Sequence, residues 1–522
     1  MSTAMERRQF LQALGMASAS LALTQCGGSQ PQDQTAAQLP NIIFLMADDM
    51  GYGDLGCFNP DSKIPTPNMD RLAAEGMRFT DAHSGSAVCT PTRYGVVTGR
   101  YCWRTELKSG VLSGYSKSLI DPNRMTVASM LGESGYHTGV VGKWHLGLDW
   151  VAKQGAANSG TEDDTAAAYQ SMDEFAKPEG LEVDFTQPVK IGPKTYGFDY
   201  SYIFPASLDM APYVYVENNQ SVADADDHTE GMADGGTFWR KGEMMQGFDF
   251  PGVLPTLTEK AVGFIDEHAK SSPEQPFFLY FPLAAPHWPW LPTDEVKGTS
   301  GAGKYGDFVA LVDKMVGRVM EALDRNQMAQ NTLFIMTSDN GAEWDPPHIE
   351  EFGHHANHPN LRGKKRDAWD GGHRIPFIAR WPEKIAAGTT SDQIICLTDL
   401  MGTAAAIAGV ELPDNAGEDS YSILPVLLGE ARGQIREATI HHSVEGMFAI
   451  RQGKWKFIDG QGPGSSFYGK WAPKPEDPPG QLYDMSADIG EQTNLYDQHP
   501  EVVARLKALL EKYKQQGHSR PA

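Results

Sequence analysis

The chain has 522 residues, 40% of them hydrophobic, and a formal net charge of −23. That length and apolar content exclude a disordered or fibrous protein and suggest one large domain with a smaller one beside it. The acidic balance argues against nucleic acid or an anionic membrane surface as a partner, so any site for an anion must be a local basic pocket.

At the N-terminus, Glu6-Arg7-Arg8-Gln9-Phe10-Leu11-Gln12 precedes an apolar run from Ala13 to Leu23, a pattern that resembles a twin-arginine export signal. Leu23-Thr24-Gln25-Cys26-Gly27 resembles a bacterial lipobox with Gln25 in place of the usual small residue, which makes Cys26 a candidate lipid anchor. The expectation is an exported protein, periplasmic or at the cell surface, with a signal over 1–26 and a polar, Gln-rich tether over 27–39. No later segment approaches the length of a membrane span. Cys26, Cys57, Cys89, Cys102 and Cys396 make neither a disulfide framework nor a zinc motif; Cys57 and Cys102 either pair or stay as partly buried thiols.

Beyond the tether, short apolar runs alternate with helical patterns. Asn41 to Ala47 has the continuity of a strand buried on both faces, and it ends in Asp48-Asp49. Pro67 to Gly76 reads as a helix. Next comes Cys89-Thr90-Pro91-Thr92-Arg93, trailed by Thr98-Gly99-Arg100. Pro91 suits a first helical position, which sets Cys89 just ahead of a helix over Thr92 to Thr98, where free backbone N–H groups favour an anion. Arg93 brings a permanent charge one turn on. Met125 to Glu133 reads as a helix and Thr138 to Gly142 as a strand running into Lys143-Trp144-His145; on an extended segment Lys143 and His145 face the same site. The acidic run Gln154 to Glu174 reads as a surface insertion.

Ser207-Leu208-Asp209-Met210-Ala211-Pro212-Tyr213 mixes a carboxylate with an aromatic ring. A helix over Thr256 to Lys270 leads to a strand over Phe277 to Leu283 and then to Ala285-Pro286-His287-Trp288-Pro289-Trp290. His287 is a candidate general acid because an ordinary histidine titrates near neutrality, and Asp209, Trp288 and Trp290 are candidates to bond and stack on a sugar. After a helix over Tyr305 to Asn326, the strand Leu333 to Ser338 ends in Asp339-Asn340-Gly341. With Asp48 and Asp49 these give three carboxylates and an amide oxygen at two strand ends. Such a set suits a hard divalent cation, Ca²⁺ first and Mg²⁺ or Mn²⁺ after it. His348, His354, His355 and His358 sit in a Pro- and Asn-rich segment and read as loop residues rather than a metal cluster. Arg362-Gly363-Lys364-Lys365-Arg366 and Asp370-Gly371-Gly372-His373 precede a strand over Ile375 to Trp381, and Thr398 to Ala408 reads as a helix. This alternation describes a doubly covered α/β sheet, in which ligands bind beyond the carboxyl ends of strands.

Taken together, in this order and over nearly the whole chain, the motifs resemble the type I sulfatases of the alkaline phosphatase superfamily. The Cys89 segment resembles their maturation signature, whose cysteine is oxidised to Cα-formylglycine by a maturation enzyme. The resemblance implies an aldehyde whose geminal diol attacks sulfur and then expels sulfate by re-forming the aldehyde. It implies a cation held by Asp48, Asp49, Asp339 and Asn340, anion contacts from Arg93, Lys143 and Lys365, a leaving-group acid in His287 and a proton acceptor in His145. By its distance to Gly371-Gly372, Lys365 rather than Lys364 matches the family's lysine. Also implied are an alkaline-phosphatase-like α/β/α sandwich over 40–410 and a smaller α+β subdomain over 411–522. The latter holds antiparallel strands near Ile450 to Lys456 and Leu482 to Asp484 and a terminal helix from Pro500 to Gln515. The expected substrate is a sulfated carbohydrate, a galactose or N-acetylgalactosamine 6-sulfate in particular, with aryl sulfates turned over more slowly. The alternatives are a metal-dependent phosphatase or phosphonate monoester hydrolase of the same superfamily, and a non-catalytic glycan-binding surface protein.

Overall fold

Strand Asn41–Asp48 lies inside a ten-stranded sheet, and all of it after Asn41 is buried, as its unbroken apolar run requires. It pairs in parallel with Phe277–Pro286 on one side and Thr332–Ser338 on the other, and the parallel set continues through His137–Lys143 to Tyr200–Phe204. Beyond Thr332–Ser338 the direction reverses, because Phe377–Arg380 runs antiparallel to it. The motif at 362–374 therefore precedes its strand instead of following it, yet arrives at the same edge of the sheet as the other motifs. Pro67–Ala74, Val253–Ser271 and Gly303–Arg325 pack on one face, and Cys89–Thr98, Val127–Glu133 and Asp399–Ala408 on the other. The result is the α/β/α sandwich expected of an alkaline-phosphatase-like chain. Close packing fixes the strand ends: at Gly142, with φ 133°, an added Cβ would lie 1.8 Å from the Pro282 carbonyl oxygen.

This description rests on a computed structural model and covers residues 38–154, 181–467 and 471–521. The chain divides into two units, Met1–Gln38 and Leu39–Ala522, and the fold described is that of the second. The export signal, Cys26, the tether up to Ala37 and the acidic run beyond Gln154 lie outside the described residues. Among the described residues, no helix is long and apolar enough to cross a membrane. Cys57 and Cys102 do not pair; both are free thiols, as are Cys89 and Cys396.

The helix at the cysteine motif starts at Cys89, not near Pro91: it spans Cys89–Thr98, with Val88 as its cap and Pro91 at its third position. Proline is tolerated there because the first N–H groups of a helix have no intrahelical acceptor to lose.

Strands Thr439–His442, Phe448–Gln452, Trp455–Ile458 and Gln481–Asp484 form a second, antiparallel sheet. Helix Pro500–Gln516 packs with it through Val502, Val503, Leu506, Leu510 and Tyr513. One of its histidines supplies a stability test. His442 is buried, its Nδ1 bonds the Ser443 carbonyl at 2.9 Å and its Nε2 has no partner. Burial depresses its pKa from 6.5 to about 4, against the backbone bond to Ser443. The unfolded chain thus takes up a proton that the fold refuses, so stability present above about pH 6.5 is lost as pH falls towards 4, by about 3 kcal/mol in all. Denaturant unfolding at pH 7 and pH 4 should show a smaller acid loss in His442→Gln than in the parent; equal losses would refute this.

Candidate active site

The two acidic strand ends meet. Asp49 departs from the sheet in a left-handed turn at φ 64°, and its N–H donates to Asp339 Oδ1 at 3.1 Å. Asn340 Nδ2 donates to Asp49 Oδ1 at 2.7 Å, and all four side chains are buried. Three cations answer three acids. Lys143 Nζ lies 2.7 Å from Asp48 Oδ2, Lys365 Nζ 2.7 Å from Asp49 Oδ2, and Arg93 Nη2 2.8 Å from Asp339 Oδ2 and 3.5 Å from Asp48 Oδ1. Burial disfavours ionisation of Asp48, but Lys143, His287 and Arg93 hold its carboxyl far below the usual range. Burial and the neighbouring Asp48 charge push Asp339 the other way, up to about 7. Asp48 Oδ1 and Asn340 Oδ1 are buried without a hydrogen-bond partner. Buried acceptors are ordinarily bonded, and hard oxygens left bare among carboxylates are what a divalent cation takes. Asp48, Asp49 and His287 also bring ligand atoms within 4.8 Å of one another.

Cys89 opens its helix in a cleft also lined by Asp49, His145, Asp209, His287 and Lys365. Burial pushes its thiol up, against the pull of Lys143 and Lys365, so the unmodified side chain is a poor thiolate nucleophile. His145 reaches the cleft without strand alternation. It sits left-handed at φ 55°, Nε2 donates to the Leu112 carbonyl at 2.7 Å, and the buried Nδ1 is left bare. Burial, then Lys143 and Arg93, keep its pKa well below the usual histidine range, so Nδ1 is a free acceptor. His287 Nδ1 donates to the Trp288 carbonyl at 2.6 Å, and Nε2 lies 3.7 Å from Asp49 Oδ2. Burial and Lys365 lower its pKa, while Asp49 and Asp48 pull it back up. Lys364 turns away to Glu343 and Asp345, which leaves Lys365 as the lysine of this pair at Asp49.

Of the three sugar-contact candidates, Asp209 and Trp288 line the cleft and Trp290 does not. The Trp290 ring is buried against Tyr305, Trp344 and His348, where it packs the core. Tyr213 is likewise buried, its hydroxyl donating to the Arg240 carbonyl at 2.7 Å. Asp209 is ion-paired with Arg240, and the Ser207 side chain also helps to hold its buried carboxylate. Burial opposes Asp209 ionisation, but Arg240 holds the carboxyl low. Arg240, Phe238, Glu343, Arg366 and Phe467 complete the wall and were not foreseen. A hairpin signal for the first two was present: Gly235-Gly236 between the antiparallel strands Met232–Asp234 and Thr237–Trp239.

The profile of the family described as Sulfatase matches residues 40–410. The chain belongs to the sulfatase family. A second profile, described as N-sulphoglucosamine sulphohydrolase, C-terminal, matches residues 363–516. The sulfatase is 34% identical to an N-acetylgalactosamine-6-O-sulfatase of Bacteroides thetaiotaomicron over 94% of this chain and 96% of that one. It is 32% identical to human arylsulfatase A over 91% and 87% of the two chains. A solved Bacteroides thetaiotaomicron sulfatase from work on glycosaminoglycan metabolism superposes with a TM-score of 0.76 at 33% identity, covering 92% of this chain and all of that one. A structure solved with a neocarrahexaose, 24% identical with a TM-score of 0.68, covers 92% and 94% of the chains and shares the fold. The sulfatase is accordingly a sulfuric ester hydrolase, which sets aside the non-catalytic glycan-binding alternative.

Proposed function

We propose that this sulfatase removes sulfate from a sulfated carbohydrate, with a galactose or N-acetylgalactosamine 6-sulfate as the favoured substrate, after Cys89 has been converted to formylglycine. The observation that carries the sugar reading is Asp209, which lines the same cleft as Cys89 and Trp288 and offers a carboxylate to a sugar hydroxyl beside an aromatic ring. The Bacteroides thetaiotaomicron relative named for N-acetylgalactosamine 6-O-sulfate supports the choice of sugar.

Asp48, Asp49, Asp339 and Asn340 would hold a divalent cation, Ca²⁺ by the ligand set, which would supply charge neutralisation to an anionic substrate. Formylglycine supplies the diol nucleophile and a route to release sulfate without attack by a separate water. This chain's own groups do the rest. Lys143, Lys365 and Arg93 bring fixed positive charge to the anion, already ordered before substrate arrives. His287 gives its Nε2 proton to the departing alcohol oxygen, and His145 accepts a proton at Nδ1 from the nucleophile's hydroxyl. Export through the signal containing Arg7 and Arg8, with Cys26 as lipid anchor, places the enzyme where it meets polymeric glycans.

Sulfate release from 6-sulfated galactose and N-acetylgalactosamine should exceed that from 4-nitrophenyl sulfate by at least about 10-fold in kcat/KM. Asp209→Ala should lose about 10- to 100-fold on the sugars, the range for a hydrogen bond to a charged group, and little on the aryl ester. Efficient aryl turnover with none on any sugar would defeat the carbohydrate reading. A preference for 4-nitrophenyl phosphate would favour the phosphatase alternative.

A further inference from the structure

The loop that carries Asp49 is held by side chains with no role in the chemistry above. A left-handed backbone costs an L residue about 1 to 2 kcal/mol, and Asp49 is such a residue. A conformation of this kind persists only where its surroundings impose it. Met50 N–H donates to Ser338 Oγ at 2.9 Å, and Gly51 N–H donates to Asp54 Oδ2 at 2.7 Å. The Tyr305 hydroxyl donates to that same Asp54 oxygen and lies 3.2 Å from the Asp49 carbonyl. Asp54 Oδ1 accepts from His354 Nε2 at 2.8 Å. His354 Nδ1 in turn accepts the Lys63 N–H at 3.4 Å, which leaves the ring proton on Nε2. Asp54, Tyr305 and His354 are all buried. Nor is there slack on the far side of the loop, since a Cβ at Gly51 would fall 2.1 Å from the Ala356 carbonyl oxygen and one at Gly53 2.3 Å from that of His355.

Burying a carboxylate against a hydroxyl, a neutral imidazole and a backbone amide carries a desolvation cost that an uncharged residue would avoid. In return Asp54 gathers bonds from three separate places: its own loop, the helix Gly303–Arg325 and the histidine-rich segment after Thr332–Ser338. We infer that Asp54, Tyr305 and His354 form a buried brace of positioning residues, which fixes the turn at Asp49 and so sets the affinity of the cation site without touching the cation. The inference rests on the cation reading given above, and it assigns a task to a histidine whose sequence context marks only a loop.

The test is calorimetric titration of the full-length, chelator-stripped protein with Ca²⁺, beside thermal melting of the same metal-free samples. Tyr305→Phe should weaken Ca²⁺ binding about 10-fold, shift the metal-free melting temperature by less than about 2 °C, and recover near-parental kcat at saturating Ca²⁺. His354→Gln, which retains a side-chain N–H for Asp54, should stay within about 3-fold of the parent, whereas His354→Leu should lose about 10-fold or more. Unchanged affinity in both Tyr305→Phe and His354→Leu overturns the brace, as does an equal loss in His354→Gln and His354→Leu. An affinity loss that only follows a fall in metal-free melting temperature also overturns it, as general destabilisation. If the parent protein binds Ca²⁺ normally and the variants do not differ, the brace alone fails; if the parent binds none, the cation reading fails and the brace with it.

Discussion

Cys89→Ala is expected to give a folded protein whose sulfate ester hydrolysis is at least about 10⁴-fold below that of the matured parent, the scale on which a lost nucleophile is felt. Folding should survive, because Cys89 contributes only to a small apolar cluster with Val88, Val111, Ala206, Met210 and Val444. Alanine also suits the first turn of the helix Cys89–Thr98. Peptide mass measurement on parent protein produced with a maturation enzyme should find an aldehyde at residue 89 that reacts with a hydrazide. Full turnover by Cys89→Ala, or by parent protein whose residue 89 is entirely thiol, would remove formylglycine from the mechanism. The pairing of charges explains why so much rests on this residue. Burial keeps the thiol protonated, and the hydroxyl nearest the site, Ser207 Oγ, is already engaged with Lys143 and His287 at 3.2 Å each.

Removal of the divalent ion is the second large effect. Chelation followed by dialysis should lower turnover by at least about 10³-fold, corresponding to several kcal/mol of lost charge stabilisation, and Ca²⁺ should restore it. Asp339→Ala should fail to recover at any Ca²⁺ concentration that restores the parent. The geometry gives the reason. Asp48 and Asp49 stand at the centre of the charge cluster, with Lys143 2.7 Å from the first and Lys365 2.7 Å from the second. A divalent cation held by these carboxylates would neutralise them and so leave the charge of both ammonium groups to act on an anionic substrate. Metal analysis of active, dialysed enzyme that finds no divalent ion would contradict this.

The parallel core was readable because Asn41–Asp48, Phe277–Pro286 and Thr332–Ser338 are buried on both faces and so carry unbroken apolar runs. That Asp48, Asp49 and Asp339 come together was readable because both acidic motifs end neighbouring parallel strands. Trp288 and Trp290 were not separable, since an aromatic ring has the same composition in a cleft as in a core; only the packing of Trp290 on Trp344 decides between them. The Cys89 helix was placed late because proline signals any of the first helical positions and not one of them. The direction of Phe377–Arg380 was beyond reach, as a short buried strand reads alike whether its neighbour runs with it or against it. Phe467 comes to the cleft from a distant, weakly patterned segment, and the Gly235-Gly236 signal near Arg240 marks a turn without saying which site the turn reaches.

The residues that cover Cys89 belong to the last part of the chain to be made. Cys89 is 3% exposed, the segment before it is tied down by Ala87 N–H donating to the His442 carbonyl at 3.0 Å, and His441 Nδ1 bonds the Ser84 carbonyl at 2.8 Å. Val444 packs in the same cluster as the cysteine. Val444 is 355 positions after Cys89 in the chain. At a synthesis rate of roughly 5–20 residues per second, a ribosome makes the covering strand roughly 20 to 70 seconds after the cysteine. Within that interval the thiol stands uncovered by the last sheet, and the segment around residue 89 is not yet tied down by it. On the maturation proposed above, conversion of Cys89 would then be a race between oxidation and folding, decided before the last sheet covers the residue.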